Sequence, residues 1–245
     1  MELPEFIHGD PDGPRALLIH GLSSSADSWW RLTEALVERG WAVTAVDLRG
    51  HGSAARADRY ALEDYASDLP RARWDVVIAH SLGGAAALIA AADPQFTRRL
   101  VLLDPVLEVP EHERDEIIAD QVAELALDAA TLAELKPHWD DRDRAAKLAG
   151  VRAVDPDAVT RSFTDTGTWD VTAQANAVTA QTLVLAGDPE VYTMLSPATA
   201  RAVVAANPRV DYRVVTGAGH SPHRDRPDET LAALAEWLDA SGSAS

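Results

Sequence analysis

Asp75-Val76-Val77-Ile78-Ala79-His80-Ser81-Leu82-Gly83-Gly84 is an apolar run that ends at a serine with small residues around it. A helical pattern starts immediately at Leu82 and is stopped by Asp93-Pro94. A tight turn from a strand into a helix lifts the serine hydroxyl above the sheet edge. It also places the next backbone N–H at a helix N-terminus. Strand and helix backbones approach closely there, so the positions two before and two after the serine must be small. They are Ala79 and Gly83. Taken alone, the stretch also fits a helix-capping serine in an ordinary strand–helix turn.

Outward from this turn, short apolar runs alternate with helical patterns. The predicted strands are Ala16 to Ile19, Trp41 to Val46, Trp74 to Ala79, Arg99 to Leu103, Thr182 to Ala186 and Val210 to Val215. Predicted helices lie between them, at Ser28 to Arg39, Leu62 to Leu69, Leu82 to Ala92 and Pro197 to Ala206, with a last one at Pro227 to Leu238. Near-continuous apolar strands separated by helices predict an α/β fold, a doubly wound and mostly parallel sheet covered on both faces. Residues 105–181 break the rhythm. They show no strong strand and carry helical patterns near Glu111 to Leu127, Ala130 to Leu135 and Arg142 to Leu148. The expected organisation is a core of residues 1–104 and 182–245 with a helical insertion at 105–181. The small polar tail Ser241 to Ser245 is expected to fray.

The chain has 245 residues, which suits one large domain with an insertion. It contains no cysteine, which excludes disulfides, thiolate metal sites and a cysteine nucleophile. With 39 acidic against 22 basic residues, the net charge of -17 argues against nucleic-acid and anionic-membrane partners. The insertion alone holds 16 acidic and 7 basic residues. That balance predicts a solvated outer face, or a lid that disfavours anionic substrates. Only Lys136 and Lys147 among the basic residues are lysines, a preference that reads as coding bias. No apolar run approaches a bilayer span, and the N-terminus lacks a signal-peptide pattern, so a cytoplasmic protein is expected.

Two further stretches carry chemistry. Leu18-Ile19-His20-Gly21-Leu22-Ser23-Ser24-Ser25 ends a strand in a small polar loop. The N–H of Leu22 there, with that of Leu82, would make a two-donor oxyanion hole. Val215-Thr216-Gly217-Ala218-Gly219-His220-Ser221-Pro222 ends a strand in a glycine-rich loop that presents His220, an imidazole suited to take and return a serine proton. His223, close by in a polar setting, is a weaker candidate base.

With Asp47-Leu48-Arg49-Gly50-His51-Gly52-Ser53 after the second recognised strand, these motifs resemble the α/β-hydrolase family over residues 15–104 and 181–238. The Asp47 turn is expected to be structural. Alanine at position 79 and a short N-terminus depart from the family pattern. The resemblance implies a serine hydrolase with a helical cap at 105–181. In it Ser81 is the nucleophile, His220 the base and Leu22 and Leu82 the oxyanion donors, with no metal or organic cofactor. It places the acid after the strand that follows the cap, at Asp188, with Glu190 and Asp104 as alternatives. Trp29, Trp139 and Trp169 are candidate substrate-binding aromatics, and Trp29 is equally suited to packing the first helix. The expected activity is cleavage of ester-type bonds, as a carboxylesterase or lactonase, on small, neutral, fairly apolar substrates. C–C bond hydrolase, amidase, lyase or perhydrolase chemistry uses the same triad, and a ligand-binding receptor on the same scaffold is a further alternative. The expected state is a monomer or homodimer with a small-molecule partner.

Overall fold

The computed structural model describes residues 1–242. Its strands are β1 (Glu5–His8), β2 (Arg15–Ile19), β3 (Ala42–Val46), β4 (Val76–His80), β5 (Arg99–Leu103), β6 (Gln181–Ala186) and β7 (Val210–Val214). They form one sheet in the order β1-β3-β2-β4-β5-β6-β7. Every pairing is parallel except β1 with β3. The tail expectation falls partly on residues 243–245, which lie outside the described residues.

The helices in chain order are α1 (Trp30–Glu38), α2 (Leu62–Asp68), α3 (Leu82–Ala90), α4 (Arg114–Ala123), α5 (Ala129–Leu135), α6 (Asp141–Ala153), α7 (Pro156–Thr164), α8 (Thr172–Ala177), α9 (Pro197–Ala206), α10 (Pro222–Asp225) and α11 (Pro227–Gly242). Both faces of the sheet are covered, which explains the unbroken apolar strands. On β2, Leu17 and Ile19 join the core beneath α2 and α3, while Ala16 and Leu18 join the core beneath α1 and α11. The same alternation runs through β4, β5 and β6. Each fully buried leucine, isoleucine or valine in these two layers contributes about 1.5–3 kcal/mol.

Strand β1 is the short antiparallel edge strand that the resemblance allowed within residues 1–14, although no apolar run marks it in the sequence. All four of its residues are exposed, so it carries no apolar pattern, and its place in the fold comes from antiparallel pairing with β3. Residues between β5 and β6 form helices α4 to α8, and α8 packs on α3 and α9 of the core. The two stems of this insertion are zipped together. Val109 N–H donates to the Trp169 carbonyl at 2.9 Å, and Val171 N–H to the Leu107 carbonyl at 2.8 Å. Helix α7 rests on the loop after β3, where Tyr60 Oη donates to Asp155 at 2.7 Å. That loop is built around Asp47, which accepts from the N–H groups of Ala26 (2.8 Å) and Ser53 (2.7 Å) and from the Ser53 hydroxyl (2.9 Å). Among the described residues, no helix is long and apolar enough to cross a membrane.

Candidate active site

Ser81 sits between β4 and α3 with φ 54° and ψ -120°. Among the described residues, only Ser23, Ser81 and Asp104 are non-glycine residues with positive φ. They lie after β2, β4 and β5, on adjacent parallel strands. Backbone strain of this kind persists where the surroundings over-determine it, and it gathers at functional sites. Two glycines permit the close approach. A Cβ at Gly83 would stand 2.3 Å from the His20 carbonyl oxygen, and one at Gly21 would stand 2.9 Å from Ser81 Cβ.

The loop after β7 carries His220 over this turn. Its Nε2 is 2.9 Å from Ser81 Oγ, and its Nδ1 is 2.6 Å from Asp104 Oδ2. A carboxylate only accepts, so Nδ1 holds the proton and donates. The Nε2 lone pair then faces the serine hydroxyl. Asp104 is fully buried. It also accepts from the N–H groups of Gly187 (3.0 Å) and Met194 (2.9 Å) and from the Thr193 hydroxyl.

The expectation that Asp188 faces His220 is therefore corrected: the carboxylate on the imidazole is that of Asp104. Asp188 lies one residue past Gly187, on the exposed side of the turn after β6. Its carboxylate accepts from the N–H groups of Gly217 (2.8 Å) and Glu190 (3.0 Å), and these bonds hold its carboxyl below the usual range. Its own N–H donates to the Ala218 carbonyl at 2.7 Å. Asp188 thus braces the turn that leads to His220 without reaching the ring. Glu190 is exposed beside it. His223 is buried behind the site, stacked on Trp29 with 4.9 Å between ring centroids.

Above Ser81 lies a cavity of about 290 Å³. The core contributes Leu22, His80, Ser81, Leu82 and His220 to its lining. Leu82 opens α3, so its N–H has no acceptor within the helix. The insertion contributes Ile117, Trp139, Phe163 and Trp169 among others. Of the three candidate tryptophans, Trp139 and Trp169 therefore line the cavity. Trp29 does not. It is fully buried in the layer beneath α1 and α11, because the turn before α1 directs it toward the sheet.

The sequence matches the Alpha/beta hydrolase family over residues 16–234. The chain belongs to this family. It is 28% identical to a 2-(acetamidomethylene)succinate hydrolase of Mesorhizobium japonicum over 250 residues, covering 93% of this chain and 89% of that one. It is 26% identical to an sn-1-specific diacylglycerol lipase of Mus musculus, covering 95% of this chain and 83% of that one. Among solved structures, an E-2-(acetamidomethylene)succinate hydrolase superposes with a TM-score of 0.82 at 24% identity, covering 97% and 95% of the two chains, and shares the fold.

The α/β-hydrolase core holds several site residues that the sequence reading passed over. His80 Nε2 donates to the His220 carbonyl at 2.7 Å, and burial pushes its imidazole well below the ordinary range. Asp225, on α10, joins the insertion to the histidine loop. Its carboxylate accepts from Trp139 Nε1 (2.7 Å), His138 Nε2 (3.0 Å) and the Gly219 N–H (2.9 Å), with Lys136 Nζ at 3.5 Å. Burial alone would raise its carboxyl, but these donors outweigh burial and hold it below the usual range. Both lysines of the chain, Lys136 and Lys147, line the cavity together with Arg224. A composition count gives no hint of that placement. The acidic residues of the insertion are mostly on its exposed side, so its overall charge does not describe the cavity.

Proposed function

We propose that the chain is a serine hydrolase of ester-type bonds, with Ser81 as nucleophile, His220 as general base and acid, and Asp104 as the carboxylate that orients the imidazole. The reading is carried by the line Ser81 Oγ–His220 Nε2–His220 Nδ1–Asp104 Oδ2, with separations of 2.9 and 2.6 Å. A substrate carbonyl in the cavity is attacked by Ser81 Oγ as His220 Nε2 takes its proton. Charge then develops on the carbonyl oxygen. The N–H groups of Leu22 and Leu82 are the donors proposed to stabilise it. The imidazolium is stabilised by the Asp104 carboxylate, and it returns the proton to the departing alcohol. Water, deprotonated by His220, then attacks the acyl-serine and releases the acid. Helices α4 to α7 act as a cap that narrows access to Ser81. Carboxylesters and lactones are the bond types proposed.

The test is treatment with a fluorophosphonate probe, mapping of the adduct, and turnover of p-nitrophenyl acetate and butyrate. Labelling at Ser81 with turnover supports the reading. Ser81→Ala is expected to fold normally and to lose roughly 10⁴-fold or more in kcat. Wild-type turnover in that variant would remove Ser81 from the mechanism.

A further inference from the structure

Arg224 is a guanidinium inside the cavity with almost nothing to hold it. The residue is 5% exposed and lines the same cavity as Ser81 and His220. Its one hydrogen bond among the described residues runs from Nη2 to Ser24 Oγ at 3.3 Å. Its Nε is buried without a partner, and among the described residues no carboxylate forms an ion pair with it. A guanidinium offers five N–H donors, and leaving such a charge buried and unpaired is costly.

The surrounding carboxylates are committed elsewhere. Asp143 accepts from Trp30 Nε1 at 2.9 Å and pairs with Arg31 at 3.5 Å. Glu124 pairs with Lys147 at 2.5 Å. Asp225 is held by Trp139, His138, Lys136 and Gly219. Asp120, the remaining carboxylate in the lining, is exposed to solvent. These pairings leave the Arg224 fork with the Ser24 hydroxyl as its acceptor and no carboxylate of its own among the described residues. The Trp139 ring, 5.1 Å from Arg224 Cζ, flanks the guanidinium, so the charge is held in place and not free to swing into water. Burial pulls the guanidinium below its ordinary pKa, though it stays charged.

We propose that Arg224 is the anchor for a carboxylate carried by the substrate, so that the hydrolase acts on half-esters of short dicarboxylic acids, with one carboxyl esterified and the other free. The free carboxylate takes the two-pronged contact that Arg224 lacks, while the ester carbonyl lies at Ser81. Lys136 and Lys147 line the same cavity, each already paired, with Asp225 and Glu124 respectively. This inference rests on the serine-hydrolase reading and replaces the neutral-substrate expectation drawn from the acidic insertion.

The experiment compares kcat/KM for monomethyl glutarate with that for methyl pentanoate, by pH-stat, in the wild type and in Arg224→Gln. The wild type is expected to favour the half-ester by roughly 10- to 100-fold, the scale of a hydrogen bond to a charged group. That ratio is expected to collapse toward one in Arg224→Gln. Glutarate is expected to inhibit the wild type competitively against p-nitrophenyl acetate while glutaramide is not, a readout that needs no variant to fold. A ratio near one in the wild type, or equal inhibition by glutarate and glutaramide, would overturn the anchor and leave the hydrolase reading standing. Absence of both labelling and turnover would overturn the hydrolase reading instead. In that case calorimetric binding of monomethyl glutarate to the unreactive protein decides the anchor: micromolar to millimolar binding upholds it, and no binding ends it.

Discussion

Strands β5 and β6 are neighbours in the sheet, and each is followed by an Asp-Pro dipeptide, Asp104-Pro105 and Asp188-Pro189. The two aspartates have opposite fates. Asp104 follows β5 directly, turns inward with φ 40°, and is fully buried against His220. Asp188 is set one residue further out by Gly187 and is half-buried, where it caps two backbone N–H groups. Gly187 is also the residue whose N–H donates to Asp104. A single extra residue therefore separates the carboxylate that serves the imidazole from the one that braces its loop. The dipeptide is the same at the two turns, and the extra Gly187 and the donors that each turn meets in the folded chain make the difference.

The comparison breaks most sharply on activity. Asp104→Asn is expected to lower kcat by about 10⁴-fold, because an amide cannot fix the imidazole tautomer that leaves Nε2 free. A steady-state assay that finds Asp104→Asn active and Asp188→Asn inactive would reverse the assignment. Stability gives the next effect. Asp104→Ala strips acceptors from the N–H groups of Gly187 and Met194, at about 1–3 kcal/mol for each group left buried and unsatisfied. A fall in melting temperature of several degrees is expected in calorimetry, roughly 2–4 °C per kcal/mol for a chain of this size.

Acid separates the buried histidines of the core from the half-buried Asp188. His20, His51, His80 and His223 are buried, and burial lowers all four imidazoles, His51 to about 3. A lowered imidazole keeps the folded state neutral while the unfolded state takes up a proton. Its contribution to stability is therefore whole above pH 6.5 and declines as the pH falls below that value. Asp188 has a lowered carboxyl, so its contribution is whole above 3.8 and is lost only below it. Urea unfolding is expected to show little change from pH 7.5 to 6.5 and then a fall in stability toward pH 4.5, to which His51 contributes about 1.4 kcal/mol per pH unit. His51→Leu is expected to flatten that slope, and Asp188→Asn is expected to leave it unchanged. The smallest effect is on turnover by Asp188→Asn, a loss of less than about tenfold, on the scale of one hydrogen bond in the loop that carries His220.

The same contrast explains what the sequence made legible. Six of the seven strands announce themselves as apolar runs because both faces of the sheet are covered, and β1 does not because its residues are exposed. The turn at Ser81 is legible because sterics demand small residues at 79 and 83. Helix α7 is absent from the sequence reading, because its nine residues offer no long periodic run and its start is marked only by Asp155-Pro156, an N-cap followed by proline at the first helical position. The acid was not legible, since two turns carry one dipeptide. Nor were Arg224 and the lysines, because a polar residue in a sequence looks the same whether it meets water or a cavity.

Asp225 ties two parts of the molecule into one balance. Lifting the segment 136–139 would strip its carboxylate of Trp139, His138 and Lys136, leaving the Gly219 N–H beside His220 as its remaining hydrogen-bond donor. By reciprocity, whatever steadies the roof steadies the histidine loop to the same extent, and whatever loosens one loosens the other. A lift of that segment would therefore loosen the loop that holds His220 beside Ser81 just as it admitted solvent to the cavity.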